Sequence, residues 1–88
     1  KKPASTPAIA NYGLKDYFSE VVIAPRSNLI GQTLRSSQIE QRFDIDVVEI
    51  FYNSRRYTEP LANKKLAGGD IMIVRGNRAD VLKIRDER

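Results

Sequence analysis

A glycine-bounded apolar strand is the feature that most constrains the fold of this chain. Residues 66–76 contain a glycine pair, an acidic residue, the apolar run 71–74 and a second glycine that ends the run. Because neighbouring strand residues point to opposite faces, a run without polar alternation predicts a strand that is apolar on both faces. A chain of 88 residues forms one small core. It therefore has few ways to cover both faces of such a strand.

Three further strands are predicted around this one. Runs rich in β-branched and aromatic residues indicate strands over residues 20–24, 45–52 and 56–59. Pro25 and Pro60 end the first and the third of these runs. The polar residues 53–55 predict the turn of a hairpin, and Tyr52 and Tyr57 on its two strands are expected to make a cross-strand contact.

Short helical segments are predicted between and after the strands. Thr33 is an expected helix N-cap, and a capping-box pattern begins at Ser37, so residues 33–43 are expected to form two short helical turns. Asn77 is expected to cap a last helix that ends near residue 84. Together the elements predict an α+β fold: a small four-stranded, mostly antiparallel sheet with short helices on one face, in the order β-α-β-β-β-α.

The second predicted strand is also apolar on both faces. Simple alternation places Val48, Ile50 and Tyr52 on one face and Ile45, Val47, Glu49 and Phe51 on the other. Short helices cover one face of the sheet, and the other face needs a different cover. A second copy of the chain about a two-fold axis is the economical cover. The connector 61–66, or an N-terminal segment containing Ile9 and Leu14, is the alternative.

The composition excludes much chemistry. The chain has no cysteine and no histidine, which removes thiol nucleophiles, imidazole bases and zinc fingers. Asp44 and Asp46 are alternate residues near the start of a strand, so their carboxylates are not expected to converge on a metal or a substrate. Gly68-Gly69-Asp70 is followed by a strand rather than a helix, which indicates a structural turn whose aspartate accepts backbone hydrogen bonds. We expect no catalytic residues, no metal site and no cofactor.

The positive charge leaves one alternative function open. The formal net charge is +4, with fifteen basic and eleven acidic residues interspersed along the chain. Such mixing favours an ordinary solvated surface. A small basic nucleic-acid-binding module is the alternative. It requires one surface made by Arg55, Arg56, Lys64, Lys65, Arg75 and Arg78.

The chain divides into a tail and one folded unit. Residues 1–16 are rich in Pro, Ala, Ser and Thr and are expected to be a linker or tail, whereas residues 17–88 are expected to form the domain. We expect the chain to be a piece of a longer protein, because it does not begin with methionine.

Three segments in order resemble one domain family. Residues 17–34 resemble the opening of the TrkA C-terminal domain, also called RCK_C, in which an acidic-apolar strand precedes a serine loop and a Leu-Ile-Gly-Lys-Thr-Leu-like string. That string reads here Leu29-Ile30-Gly31-Gln32-Thr33-Leu34. Residues 43–50 resemble the family's second strand, and residues 66–76 resemble its Leu-x-x-Gly-Asp-x-Leu-x-Val-x-Gly signature. The resemblance covers residues 17–85.

The resemblance implies a regulatory domain on the cytoplasmic side of a membrane protein that transports cations or divalent anions. Its partners would be a second copy of itself and a transmembrane transport domain of the same or another chain. Family members form two-fold dimers, and some bind a small molecule or nucleotide such as cyclic di-AMP in the interface cleft. From the two-faced strands we expect the interface to contain Val47, Phe51, Met72 and Val74.

The ligand cleft that the resemblance implies involves Glu40, Asp46, Val47 and Pro60. Relatives that bind cyclic di-AMP tend to have arginine at the position of Glu40 and asparagine at that of Asp46. A carboxylate near a ligand phosphate repels it, and the sequence shows no compensating cation in that segment. We therefore expect a cleft at the dimer interface that does not bind cyclic di-AMP tightly.

Overall fold

The computed structural model describes residues 17–86 and confirms the α+β architecture. Four strands form one sheet in the spatial order β1-β4-β2-β3, with every neighbouring pair antiparallel. In chain order the elements are β1 (Tyr17–Val22), α1 (Leu34–Ser37), α2 (Ile39–Phe43), β2 (Asp46–Tyr52), β3 (Arg55–Arg56), a 3-10 turn (Leu61–Asn63), β4 (Ile71–Gly76) and α3 (Arg78–Asp86). The tail predicted over residues 1–16 lies outside the described residues.

Two strand boundaries differ from the prediction. β1 begins at Tyr17, three residues earlier than expected, because its first residues pair with the end of β4 as far as Gly76. β3 is Arg55–Arg56 rather than residues 56–59, and it begins one residue earlier because the hairpin turn takes only Asn53 and Ser54. Asn53 and Ser54 both have positive φ, 50° and 63°, as a two-residue hairpin turn requires. One further bond, from the Tyr57 N–H to the Ile50 carbonyl, continues the hairpin beyond β3.

The helix caps are partly as predicted. Thr33 caps α1, and it forms a reciprocal capping box with Ser36 rather than one between Ser37 and Glu40. The predicted box at Ser37 is wrong because this side chain is buried and its hydroxyl donates to the Leu34 carbonyl. Gln38 adopts a left-handed conformation that separates α1 from α2, which confirms two short helices.

The last helix is capped as the sequence predicts. The Asn77 side-chain oxygen accepts a hydrogen bond from the Asp80 N–H at 2.9 Å. The glycine that ends β4 is required for the approach of this helix and of the chain before β2. A Cβ on Gly76 would lie 3.0 Å from Cγ2 of Ile45 and 3.5 Å from Cγ2 of Val81.

The core lies between the helices and one face of the sheet, which we call the covered face. Met72 and Val74 of β4 and Ile50 of β2 are completely buried there. The other buried apolar residues are Val21, Ile23, Leu34, Ile39, Ile45, Val47, Leu66, Val81 and Ile84. The connector after β3 also lies on this side, since its 3-10 turn packs on α1 and Leu66 enters the core. The connector is therefore not the cover of the opposite face.

A β-bulge in β2 overturns the simple alternation of its side chains. Val47 pairs with Val74, but Glu49, two residues later, pairs with the adjacent Ile73, so Val48 is an extra residue in the ladder. Beyond the bulge the pairing resumes with Ile50 opposite Met72. Directly paired residues of antiparallel strands share a face. Val47 and Ile50 therefore share the covered face, whereas the sequence pattern assigned them to opposite faces.

Candidate interaction site on the open face of the sheet

The face of the sheet opposite the helices carries three rows of directly paired residues. β1, β4 and β2 contribute Phe18, Arg75 and Asp46 to the first row. The second row contains Glu20, Ile73 and Glu49, and the third contains Val22, Ile71 and Phe51, with Arg56 of β3 beside Phe51. We call these ten residues the open face.

The open face has a continuous apolar patch of Val22, Ile71, Ile73 and Phe51, with charged residues beside it and Phe18 at one corner. Phe18 and Val22 are 54% and 57% exposed, and Ile71, Ile73 and Phe51 are half-buried. The open face carries two ion pairs. Arg75 Nη2 on β4 lies 2.9 Å from Asp46 Oδ2 on β2, and Arg56 Nη1 on β3 lies 3.7 Å from Glu49 Oε2 on β2. A contiguous apolar patch with a polar rim is the usual anatomy of a protein interface.

The structure divides the residues that the sequence assigns to a dimer interface. Phe51 lies on the open face and is half-buried in the single chain. Val47, Met72 and Val74 instead belong to the core of the single chain, where they are 7%, 0% and 0% exposed. These three residues pack in one core cluster with side chains of the helices, so the single chain already buries them. Four further apolar residues of the open face are exposed or half-buried although the sequence pattern assigned them to no interface: Phe18, Val22, Ile71 and Ile73.

Of the residues of the implied ligand cleft, Glu40, Asp46 and Val47 lie together at the start of β2, whereas Pro60 precedes the 3-10 turn and no described contact joins it to them. Glu40 Oε2 accepts a hydrogen bond from the Val47 N–H at 2.8 Å, which ties α2 to β2. Asp46 Oδ2 accepts from Arg75 at 2.9 Å. Val47 is buried, whereas Pro60 is exposed just before the 3-10 turn that packs against β2. Each carboxylate is therefore held by a donor of its own chain.

Arg75 is the compensating cation that the sequence did not reveal near the cleft. It is 29 residues from Asp46 in the sequence, and only the β2–β4 register brings the two together. Both side chains remain well exposed, at 42% and 62%, so the pair is screened by water.

A buried ion pair lies on the covered side of the same sheet. Lys64 Nζ is 2.7 Å from Asp70 Oδ2, and the two side chains are only 11% and 5% exposed. Asp70 also accepts from the Ala67 N–H at 2.9 Å, which confirms its predicted role in the turn. The Lys64 ammonium lies 5.1 Å and 5.8 Å from the ring centres of Tyr52 and Tyr57. These rings meet edge to face at 6.0 Å, as the cross-strand prediction required.

The six basic residues of the nucleic-acid alternative do not form one free surface. Arg56, Lys64 and Arg75 are each paired with an acidic residue. The other three are exposed on different elements: Arg55 on β3, Lys65 in the connector and Arg78 at the start of α3. Half of the six cations are therefore paired with an acidic neighbour, which weakens the electrostatic case for binding phosphates.

Within residues 17–86, no cluster of three or more acidic side chains is placed to hold a metal ion. In the same part of the chain, no helix has both the length and the apolarity to cross a membrane.

Comparison with known families decides the assignment. The model of the TrkA-C domain family matches residues 18–87. The chain belongs to the TrkA-C domain family. An uncharacterized transporter from Synechocystis sp. is 56% identical over 79 residues, which is 90% of this chain. The match spans only 13% of that relative, so this TrkA-C domain corresponds to a small part of the transporter.

Solved structures share the fold of this TrkA-C domain. The RCK C domain of the potassium transport protein KtrA, in complex with cyclic di-AMP, superposes with a TM-score of 0.71 at 20% identity, covering 94% of this chain and 95% of that one. The RCK_C domain dimer of Streptococcus agalactiae BusR with cyclic di-AMP gives 0.69 at 15% identity, covering 83% and 88%. BusR bound to its promoter DNA gives 0.69 at 12% identity, and the match covers 94% of this chain but 45% of that one. At these identities the likeness shows the fold alone.

Proposed function

We propose that this TrkA-C domain is a non-catalytic regulatory dimerisation domain on the cytoplasmic side of a membrane transport protein. The observation that carries the proposal is the open face, an apolar sheet surface that none of the described elements covers. A ligand or partner that favours one dimer geometry would shift the population of dimers, and the connections to the transport domain would transmit that bias.

The open face suits a second copy of the same chain. In a two-fold interface the same patch lies on both partners, so the patch has to be complementary to itself. The open face meets this condition because it combines apolar residues with both signs of charge. Asp46 and Glu49 supply negative groups on one side, and Arg75 and Arg56 supply positive ones.

Sedimentation of the 88-residue chain tests the dimer. Phe51→Asp places a charge in the middle of the interface and is expected to give monomers at concentrations where the wild type is dimeric. Val22→Asp, at a more exposed position of the same face, is also expected to give monomers. Its effect on the stability of the single chain is expected to be small because the side chain is already exposed. Ile30→Asp is the matched control, since Ile30 is 41% exposed in a loop away from the open face. Open-face variants that stay dimeric at micromolar concentration contradict the proposal.

A transport assay on the full-length parent tests the regulatory role. Phe51→Asp is expected to change the rate of transport or its response to a regulator while the identity of the carried solute stays the same. Selectivity belongs to the transmembrane part, so a variant that alters which solute is carried contradicts a purely regulatory role.

We further propose that the cleft does not bind cyclic di-AMP tightly. At two positions that the family resemblance assigns to the cleft, Glu40 and Asp46 are carboxylates, which repel a ligand phosphate. Glu40 is committed to the Val47 N–H, and Arg75 is committed to Asp46. Calorimetry is expected to show no binding of cyclic di-AMP at micromolar concentration. Sub-micromolar affinity would overturn this part of the proposal and leave the dimer unaffected.

A further inference from the structure

β1 is an edge strand with an unpaired outer side. It lies at the end of the sheet and pairs only with β4 among the described elements. The Ile23 N–H donates to the Asp70 carbonyl, and the Ile23 carbonyl accepts from the Gly69 N–H, so this residue faces the β4 side. By alternation the amides of Phe18, Glu20 and Val22 point away from β4. A six-residue edge of this kind is a template for another strand.

Two hollows flank this same edge. The first has a volume of about 130 Å³ and lies between β1, the loop after it, α2 and α3. Its lining includes the apolar residues Ile39, Phe43 and Ile84, and Arg42 also borders it. The second is more open, has a volume of about 310 Å³ and is bounded by Glu20 on the strand and Arg85 on α3. Val21, Val22 and Ala24 line both hollows, so they form one groove along the edge of β1.

The charge on the edge favours a partner other than a second copy. Glu20 lies at the centre of β1 between the exposed Phe18 and Val22, and within the described residues it has no ion-pair partner. Two copies paired through β1, with Phe18 opposite Val22, would place two Glu20 carboxylates directly opposite each other. Like charges in that position destabilise the pairing of strands. A partner strand with a basic residue opposite Glu20 forms an attractive cross-strand charge pair instead, which stabilises the pairing.

We propose that the groove along β1 binds an extended peptide segment of a protein partner, added antiparallel to the strand. The peptide carries a basic residue opposite Glu20 and apolar residues opposite Phe18 and Val22. A large apolar residue opposite Val21 enters the smaller hollow. Main-chain hydrogen bonds to the outward amides of β1 supply the affinity for the peptide. Contacts of the peptide side chains with the groove determine which sequences bind. Phe18, Glu20 and Val22 also contribute side chains to the open face. The peptide, however, pairs with the outer main-chain edge of β1 rather than packing on the face, so failure of the peptide proposal leaves the dimer proposal intact.

Reversing the charge at one position of the peptide, and separately at Glu20 of the protein, tests the proposal. The affinity of each peptide for the complete 88-residue chain is measured. The probe is a fluorescent peptide with the sequence Thr-Val-Leu-Lys-Thr-Val-Thr, and its counterpart replaces Lys by Glu. The wild type is expected to bind the Lys peptide at least about fivefold more tightly than the Glu peptide, the scale of one cross-strand charge contrast. Glu20→Lys is expected to reverse this preference. Glu59→Lys makes the same change of net charge at an exposed site beyond β3 and is expected to leave the preference unchanged.

Two outcomes of the binding experiment overturn the proposal. Equal affinity for the two peptides would show that Glu20 makes no charge contact with the peptide. A reversal in Glu59→Lys as large as that in Glu20→Lys would assign the effect to net charge alone.

Hydrogen exchange at single amides tests whether the peptide binds along the outer edge of β1. The amides of Phe18, Glu20 and Val22 are expected to exchange rapidly in the free chain and to become protected when the Lys peptide saturates it. Protection in the free chain that is independent of concentration would show that the chain's own segment occupies the edge. Protection that grows with protein concentration would show that a second copy does. Either result, or unchanged exchange at saturating peptide, overturns the proposal.

Discussion

The two faces of the sheet differ in composition and in their surroundings. Along β4, Met72 and Val74 point into the core and are completely buried, whereas Ile71 and Ile73 alternate with them and are half-exposed. The covered face therefore supplies the stability of the single chain. The open face combines apolar with charged residues, and no element within residues 17–86 covers it, which is why we assign the proposed function to it.

Ion pairs show the same contrast. On the covered side the Lys64–Asp70 pair is almost fully buried, and two tyrosine rings lie around its cation. On the open face the Arg75–Asp46 pair has a similar distance between charges but remains exposed to water. Burial makes the loss of one partner costly in the first pair, whereas solvent screens the second.

The largest expected difference in the free energy of unfolding comes from replacing the cation of each ion pair by methionine. Lys64→Met leaves the Asp70 carboxylate buried without its cation and is expected to lower the free energy of unfolding by about 4 kcal/mol. Arg75→Met exposes Asp46 to water and is expected to cost less than about 1 kcal/mol. Urea denaturation of both variants measures the difference. Equal losses would show that the two sides of the sheet are not distinct in this way.

A matched pair of isoleucine truncations probes packing on each face. Ile50→Ala, on the covered face, is expected to cost about 3 kcal/mol because it leaves a cavity. Ile73→Ala, on the open face, is expected to cost about 1 kcal/mol in dilute solution, where the chain is monomeric. At higher protein concentration the second variant should show less concentration-dependent stabilisation than the wild type. Thermal unfolding over a range of concentrations separates the two effects.

Deletion of Val48 is expected to have the smallest effect. Val48 is the extra residue of the bulge, so its removal brings Val47 and Glu49 opposite the adjacent Val74 and Ile73 without moving either residue to the other face. A loss of about 1 kcal/mol or less is expected, with an unchanged pattern of protected amides in β4. A molten or unfolded deletion variant would show that the bulge itself is required.

Much of the fold follows from local sequence signals. The strand runs, the Thr33 and Asn77 caps, the glycine turns and the tyrosine contact were all predictable, because short stretches of sequence determine them. The family signature also lies in such stretches.

The faces of β2 were not predictable in the same way. One inserted residue reverses the alternation beyond it, and no local signal marks Val48 as that residue. This reversal explains why Val47 was assigned to an interface although the core contains it. Lys64 illustrates the same limit, since its burial depends on Asp70 and on two rings that the fold brings to it.

Intermolecular contacts between labelled and unlabelled copies test the central claim most directly. In a mixed sample, isotope-filtered NMR detects only those contacts that cross from one chain to the other. We predict such contacts at the methyl groups of Val22, Ile71 and Ile73, and none at the buried Met72 and Val74. Intermolecular contacts confined to the helices, or a chain that remains monomeric at millimolar concentration, would contradict the assignment of the open face as the dimer interface.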